Sequence, residues 1–431
     1  MDFKGEYGGK LRSCEEVLGM LQDGWYVCAG QFAGTPQGLF SSLHTLAGKV
    51  HDVTVQSAFV MGDYPFLHNW ELGDGLLLEA FFFGATERAI HSEGRASFMP
   101  GGLGRCAAKK LAWKRPNLFW GVSSPPDRHG NFNIGLSNAY EMDMLEESDI
   151  VVIEVNEQAP RVFGDNLVPL RAVDYIVEHN APVPKTEPGM IGDVENSIGG
   201  YAAELIDNGY SIQLGIGSIP DAVGLHLRGK KDLGVHTEVI TDSMATLYKE
   251  GVVTNTRKKL WKNKIAGTLI LGTQALFDFV DDNPAVELRR GSEINSPYVI
   301  AQNKGQCSVN SALSVDLTGA VSSESFGYRQ FSATGGQFET AYGAQLSEGG
   351  KSIITLRSTA RQDTISAIVA GFPEGTATTL SRNDVDYVVT EYGIAALRGR
   401  SIRDRVKALI AIAHPKFREA LKEDAERLKI W

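Results

Sequence analysis

Glu238 stands in the run Leu-Gly-Val-His-Thr-Glu-Val (233–239), an otherwise apolar, strand-like stretch. A carboxylate there is costly unless it is solvated, paired or used. Upstream, the strand-like Ser-Ile-Gln-Leu (211–214) feeds a glycine turn, Gly215-Ile216-Gly217, with a helix start expected at Pro220-Asp221. Backbone N–H groups at such a turn can bind a phosphate or stabilise an oxyanion. A carboxylate beside them can attack an activated acyl carbon and form an anhydride. Attack by the released thiolate on the enzyme's own carbonyl then gives a glutamyl thioester. Two other readings stay open on these residues alone. Gly-Ile-Gly-Ser-Ile-Pro (215–220) approximates a dinucleotide-binding GxGxxG, with Glu238 at the spacing of a ribose-binding acid, which would make an NAD-dependent dehydrogenase. Pro220, however, replaces the glycine needed for close helix–strand packing. The structural reading is a tight turn and a salt-bridged strand glutamate. His236 would share a strand face with Glu238, either orienting the carboxylate or serving as a hydrogen-bonded core histidine.

Gly335-Gly336 follows Thr334 in GGQFETAYGA (335–344), where paired glycines allow close backbone approach to a ligand. SEGGKS (347–352) looks like the end of a phosphate-binding loop, but Gln345 occupies the place of its leading glycine. Lys351 could still meet a phosphate. No GxSxG and no HxxxH or HExxH spacing occurs, so neither a serine-elbow hydrolase nor a zinc site is expected. Cys14, Cys28, Cys106 and Cys307 form no CxxC pair, which fits reduced thiols in a cytoplasmic setting.

The elements that must position these groups read as an α/β protein. The 431 residues suggest two or three domains, and 47 glycines cluster in turns beside apolar runs. A 43% hydrophobic, 22% charged composition is ordinary for a soluble globular chain. A net charge of −10 disfavours a nucleic-acid partner, and no apolar run is long enough for a membrane helix. The start of the chain, MDFKGEYGGKLRS, lacks the apolar core of a signal peptide. Three prolines and two glycines in 181–193 read as a linker, giving expected domains 1–185 and 186–431. Both halves run helix, Asp/Asn-Gly, strand, glycine turn, proline at a helix start, helix, strand. This weak repeat predicts two similar α/β domains facing each other across a cleft. Gln56-Ser57 falls near the position of Glu238 in the first copy, so one catalytic and one supporting copy are expected. Further strands are expected at 268–274, 308–317, 351–358 and 385–393. Helices are expected after the linker, capped by Gly209, and at 401–414 and 416–428.

Taken together, GIGSIPDAV (215–223), GVHTEVITD (234–242), VNSALSVDLTGAVSSES (309–325), ATGGQFETAYGA (333–344), GGKSIITLRSTA (349–360), VTEYGIAALRGRSIRDR (389–405) and LIAIAHPKFREAL (409–421) resemble the acetyl-CoA hydrolase/4-hydroxybutyrate CoA-transferase family, within the family I CoA-transferases. SSPPDRHGNF (123–132) and EVNEQAPRVFG (154–164) extend the resemblance, which covers essentially the whole chain. It implies two open α/β domains of CoA-transferase type with the active site between them, and Glu238 as the nucleophile of ping-pong transfer. It implies oxyanion and CoA contacts at Gln213, Leu214, Gly215, Ile216, Gly217, Asn310, Gly335 and Gly336, with Lys351 a further contact. Gln31, Gly34, Thr35 and Pro36 of the first glycine turn, with Gln56 and Glu339, would line the acyl or acid pocket. Acyl-CoA and small carboxylic acids are the implied partners, with no tightly bound cofactor, no metal and a homodimer or larger homo-oligomer. A hydrolase, in which water resolves the intermediate, is the near alternative.

One departure stands out. The family commonly carries GGQxDFxxGA, where this chain has Gln337-Phe338-Glu339-Thr340-Ala341-Tyr342. The acidic character is kept at Glu339, but Thr340 and Tyr342 change its neighbourhood. An unusual acceptor such as a dicarboxylate becomes conceivable, with Arg329, Arg357 and Arg361 as candidate partners for a second carboxylate.

Overall fold

A computed structural model describes residues 3–187 and 189–430. The chain forms two compact units, Met1–Thr186 with Thr268–Glu293, and Glu187–Gly267 with Ile294–Trp431. The division is therefore not a single cut at the proline-rich linker. Residues Thr268–Glu293 belong to the first unit because their backbone pairs there. Ile270 N–H donates to Leu136 O at 3.0 Å, Thr268 O accepts from Asn138 N–H at 2.8 Å, and Leu288 N–H donates to Phe163 O at 2.8 Å. Arg290 adds ion pairs to Asp143, Glu146 and Asp165.

The first unit is built on Tyr26–Ala29 (β1), Val53–Ser57 (β2), Leu76–Ala80 (β3), Ala96–Phe98 (β4), Leu118–Ser123 (β5), Ile150–Val155 (β6) and Tyr175–Glu178 (β7). They form one seven-stranded parallel sheet in the order β4-β3-β2-β1-β5-β6-β7. Parallel strands are covered on both faces and so read as continuous apolar runs. Accordingly Val27 and Trp120 pack in one core and their neighbours Cys28 and Phe119 in another. Helix α1 (Gln37–Ser42) follows β1, with Pro36 at its N-cap.

In the second unit, Ser211–Leu214 (β8), Gly234–Val235 (β9), Gln306–Ser311 (β10), Lys351–Thr355 (β11), Tyr387–Thr390 (β12) and Gly393–Ala396 (β13) form a six-stranded sheet. Its order is β9-β8-β10-β11-β12-β13, parallel except for the last pair. The expected repeat is visible as two parallel pairs, β1 with β2 and β8 with β9, each joined through a helix.

Several boundaries differ from the sequence reading. Helix α2 (Asp193–Glu204) stops before Gly209, whose φ of +78° instead serves the turn entering β8. Helix α3 begins at Ser218, with Gly217 as its N-cap, so Pro220 is its third residue. Proline is tolerated there because the first-turn N–H groups have no partner inside the helix. The expected strand at 268–274 shrinks to Leu269–Ile270, and Gln274 opens a helix. The run 308–317 is broken between Ser311 and Ser314. The C-terminal helices run Ile402–Ile412 and Arg418–Arg427, the first capped by Ser401.

Candidate active site

Strand β9 ends at Val235, and Glu238 stands in a bend before Val239–Ile240. It is thus not embedded in a continuous strand, and its pairing with His236 on one strand face does not form. The register Ile212↔Val235 carries Glu238 toward the level of Gly215, at the carboxyl end of the parallel strands. Ligands of open α/β sheets bind at that end.

The half-buried Glu238 carboxylate is held by two neutral donors. Asn295 Nδ2 donates to Oε2 at 2.8 Å, and the Gly336 N–H donates to the same carboxylate. Burial pushes the Glu238 carboxyl above the usual carboxylate range, while these two bonds pull it back. Gly336 precedes helix α4 (Gln337–Leu346) as its N-cap. A Cβ at Gly336 would lie 1.9 Å from Glu238 Oε2 and 2.0 Å from Asn295 Nδ2. Only glycine leaves room for the carboxylate there.

Asn295 is 1% exposed and bridges two acids, since Nδ2 also lies 3.3 Å from Glu339 Oε2. Its Oδ1 has no hydrogen-bond partner. Glu339, assigned from sequence to the acid pocket, is therefore in the second unit beside the amide that holds Glu238. His236 does not reach the carboxylate through any hydrogen bond. Its Nε2–H donates to Ile294 O at 2.8 Å, and Nδ1 accepts from Asn303 Nδ2 at 3.1 Å. Those neighbours set the tautomer. Burial, then the nearby Lys258 ammonium, pushes the ring down to about 3, so it is neutral. Its role is to fix the backbone one residue before Asn295.

At the ends of β8 and β10, Gln213, Ser308, Asn310 and Thr340 form one network. Ser308 Oγ donates to Gln213 Oε1 at 2.9 Å and lies 3.0 Å from Thr340 Oγ1. Asn310 Nδ2 donates to Ser308 Oγ at 2.8 Å and Thr340 Oγ1 at 3.1 Å, and Gln213 Nε2 donates to Asn310 Oδ1 at 3.3 Å. Thr340, the departure from the family pattern, is the hub on the first turn of α4. Leu214 is buried in the sheet core, and Gly215 N–H donates to Val309 O at 3.0 Å. Ile216 is half-buried, while Gly217 at φ +108° and Gly335 at φ +51° hold backbone that side chains resist.

Lys351 is not with these residues. It opens β11, paired with Cys307, while Ile354 pairs with Asn310. It therefore lies toward the amino end of the sheet, roughly 10 Å along the strand from Asn310. Its Nζ is taken by Leu205 O at 2.7 Å and Asp207 Oδ2 at 3.1 Å. Arg357 pairs with Glu195, and Arg329 and Arg361 are exposed.

The remaining acid-pocket assignments lie in the first unit. Thr35 Oγ1 donates to Phe32 O at 2.7 Å and accepts Met61 N–H at 3.3 Å. Pro36 caps α1, and a Cβ at Gly34 would come to ordinary contact distance, 3.5 Å, from Ser137 Cβ. Gln56 Oε1 accepts from Tyr26 OH, and its Nε2 is unpartnered. Gln31 is buried beside the Glu141 carboxylate, but its Nε2 completes no hydrogen bond of normal geometry. Among the described residues no acidic, histidine or cysteine cluster could hold a metal ion.

The acetyl-CoA hydrolase/transferase N-terminal domain matches residues 1–187, and the C-terminal domain of the same family matches 272–425. A 4-hydroxybutyrate coenzyme A transferase of Clostridium kluyveri is 38% identical over 446 residues, covering 99% of this chain and 100% of that one. The chain belongs to the acetyl-CoA hydrolase/transferase family. Within it the chain is a CoA-transferase, which sets aside the dehydrogenase reading of 215–238. Another relative in the family, a succinyl-CoA:cyclohexane-1-carboxylate CoA transferase of Geobacter metallireducens, is 37% identical, covering 99% of this chain and 97% of that protein. The crystal structure of RipA from Yersinia pestis superposes with a TM-score of 0.93 at 32% identity, covering 100% of both chains. Among the described residues, no helix is long and apolar enough to cross a membrane.

Sequence reasoning missed Asn295 and Ser308. Asn295 sits in Ser-Glu-Ile-Asn with no motif around it. Its signal is purely spatial.

Proposed function

We propose that this enzyme moves CoA between a short-chain acyl-CoA and a carboxylate acceptor through a glutamyl-CoA thioester on Glu238. The carrying observation is a half-buried carboxylate at the strand ends, held on one oxygen by Asn295 and facing the Gly336 N–H rather than a cation. A cation would lower its nucleophilicity. Two neutral N–H groups hold the carboxylate without pairing its charge, and the Asn295 bond falls on Oε2 rather than Oε1.

The steps balance without a net proton. Oε1 attacks the acyl thioester carbonyl, and CoA leaves as thiolate, giving an acyl-glutamyl anhydride. The thiolate attacks the glutamyl Cδ, and the donor acid leaves as carboxylate. As Cδ becomes tetrahedral, charge collects on Oε2. The Asn295 donor already sits on that oxygen and the Gly336 N–H meets the same carboxylate, so the two would serve as its oxyanion hole. An acceptor carboxylate then reverses both steps. CoA contacts are assigned to Gln213–Gly217, Asn310 and Gly335-Gly336, and the acid to the turn 30–36 with Gln56. The relatives' names span 4-hydroxybutyrate, succinyl and cyclohexane-1-carboxylate groups, so the acceptor is assigned only as a small carboxylate. Four cysteines that form no disulfide support a reducing, cytoplasmic setting. Self-assembly into a homo-oligomer, also proposed, is read by light scattering.

Incubation with acyl-CoA should add CoA to the peptide containing Glu238, and borohydride should trap that thioester and inactivate the enzyme. An unmodified peptide under turnover conditions sinks the reading. Free thiol release without an acceptor would instead mark a hydrolase.

A further inference from the structure

One buried carboxylate has no part in the chemistry above. Glu154 is 2% exposed, near the end of β6, in the segment EVNEQAPRVFG. Its hydrogen-bond partners are all neutral N–H donors. Oε1 accepts from Gly38 N–H at 2.9 Å, and Oε2 from Leu39 N–H at 3.2 Å and Trp120 Nε1–H at 3.1 Å. Both backbone donors belong to the first turn of α1. The fit is tight: a Cβ at Gly38 would lie 2.9 Å from Glu154 Oε2 and 3.1 Å from Cys14 Sγ. Burial pushes this carboxyl up to about 7 despite the donors. A glutamine or apolar residue would spare the fold that desolvation.

What the carboxylate anchors is the far end of the turn 30–36. The near end is anchored by the same tryptophan, because Gly30 N–H donates to Trp120 O at 3.0 Å. The turn between is under constraint. Phe32 is held at φ +50°, unusual for an aromatic residue, and a Cβ at Gly30 would lie 2.4 Å from Gly34 O. Gln31, buried within the turn, keeps an Nε2 donor without a well-formed partner. The turn also follows β1, whose neighbours β2 and β5 lead the sheet away in opposite directions, the place where such sheets bind ligands.

We propose that Glu154 and Trp120 are positioning residues that clamp both ends of the 30–36 turn in the shape that receives the substrate carboxylate. The inference rests on the proposed function, in which that turn handles the acid. Glu154 touches no substrate; its grip on the Gly38 and Leu39 N–H groups sets where the Gln31 amide stands.

The test uses the full-length enzyme. In E154Q, kcat/KM for acid acceptors should fall tenfold or more, and the ratio between acetate and butyrate should change. The CoA dissociation constant and the stoichiometry of glutamyl-CoA formation should match wild type. G38A, which crowds the same carboxylate, should repeat the pattern should E154Q not fold. In unmodified enzyme, the Trp120 indole N–H resonance, assigned through W120F, should shift on saturation with the acid. Acid kcat/KM and selectivity within twofold of wild type in either folded variant, or an indole resonance unmoved by saturating acid, overturns the clamp. A wild-type enzyme that forms no glutamyl-CoA refutes the proposed function instead, and the acid-dependent indole shift still decides the clamp.

Discussion

Replacing Gly336 by alanine inserts one methyl group where the carboxylate now lies. The new Cβ would stand 1.9 Å from Glu238 Oε2 and 2.0 Å from Asn295 Nδ2. Ordinary contact requires one side to retreat by about 1.5 Å, enough to end a 2.8 Å hydrogen bond. The carboxylate is the end of a flexible side chain, so it moves before the backbone does. The backbone itself accepts alanine, because Gly336 has φ −98° and ψ 10°. Loss of stability is then limited to a poorer helix cap, about 0.5–1 kcal/mol. Loss of function is larger. Displacing Glu238 from its oxyanion donors should cost about 3–4 kcal/mol of transition-state stabilisation, or 10²–10³ in kcat. The assay is steady-state transfer from acyl-CoA to acetate, beside thermal unfolding by circular dichroism. Gly335→Ala is the contrast. At φ +51° it strains the backbone by roughly 1 kcal/mol and so reports what a methyl group costs on the neighbouring residue. A G336A enzyme within fivefold of wild-type kcat would refute the idea that Gly336 holds the reacting carboxylate.

Asn295→Ala removes a donor that favours the ionised form of Glu238, so the Glu238 pKa rises further. The acidic limb of kcat/KM for acyl-CoA should move to higher pH, with kcat down 10–100-fold; an unmoved limb would remove Asn295 from the site. Lys351→Ala should leave KM for acyl-CoA within twofold of wild type, because Nζ is bound to Leu205 O and Asp207 rather than facing the strand ends. A tenfold rise would restore it as a CoA contact. Thr340→Val deletes the hydroxyl shared by Ser308 and Asn310 and should raise KM for CoA several-fold, while Thr340→Ser retains it. Equal constants for the two variants would show that methyl packing, not the network, matters there.

The α/β class and the family were legible because glycine turns, prolines at helix starts and apolar runs are local signals. The repeated strand–turn–helix–strand order survives as the β1/β2 and β8/β9 parallel pairs. What failed was whatever depends on which backbone pairs with which. Lys351 looked like a phosphate contact from its glycines, yet strand register puts it at the amino end of the sheet. His236 and Glu238 looked like strand neighbours, yet β9 ends at Val235 and the two side chains have different partners. Asn295 carries no motif at all. It meets Glu238 across 57 residues of chain, a closeness no periodicity encodes.

The excursion of Thr268–Glu293 into the first unit has a consequence for how the protein is made. The polypeptide passes from one compact unit to the other three times, after Thr186, Gly267 and Glu293. A ribosome that has synthesised the first 186 residues has not yet supplied the strand and helix that finish the first unit. The rest of that body follows only after the second unit's opening segment, Glu187–Gly267, has been translated. Neither body can be excised as one uninterrupted length of chain, and Asn295 emerges just after the last crossing. Glu238 is therefore without its amide partner until the first unit's chain is complete, which ties the assembly of the proposed nucleophile's surroundings to the last crossing.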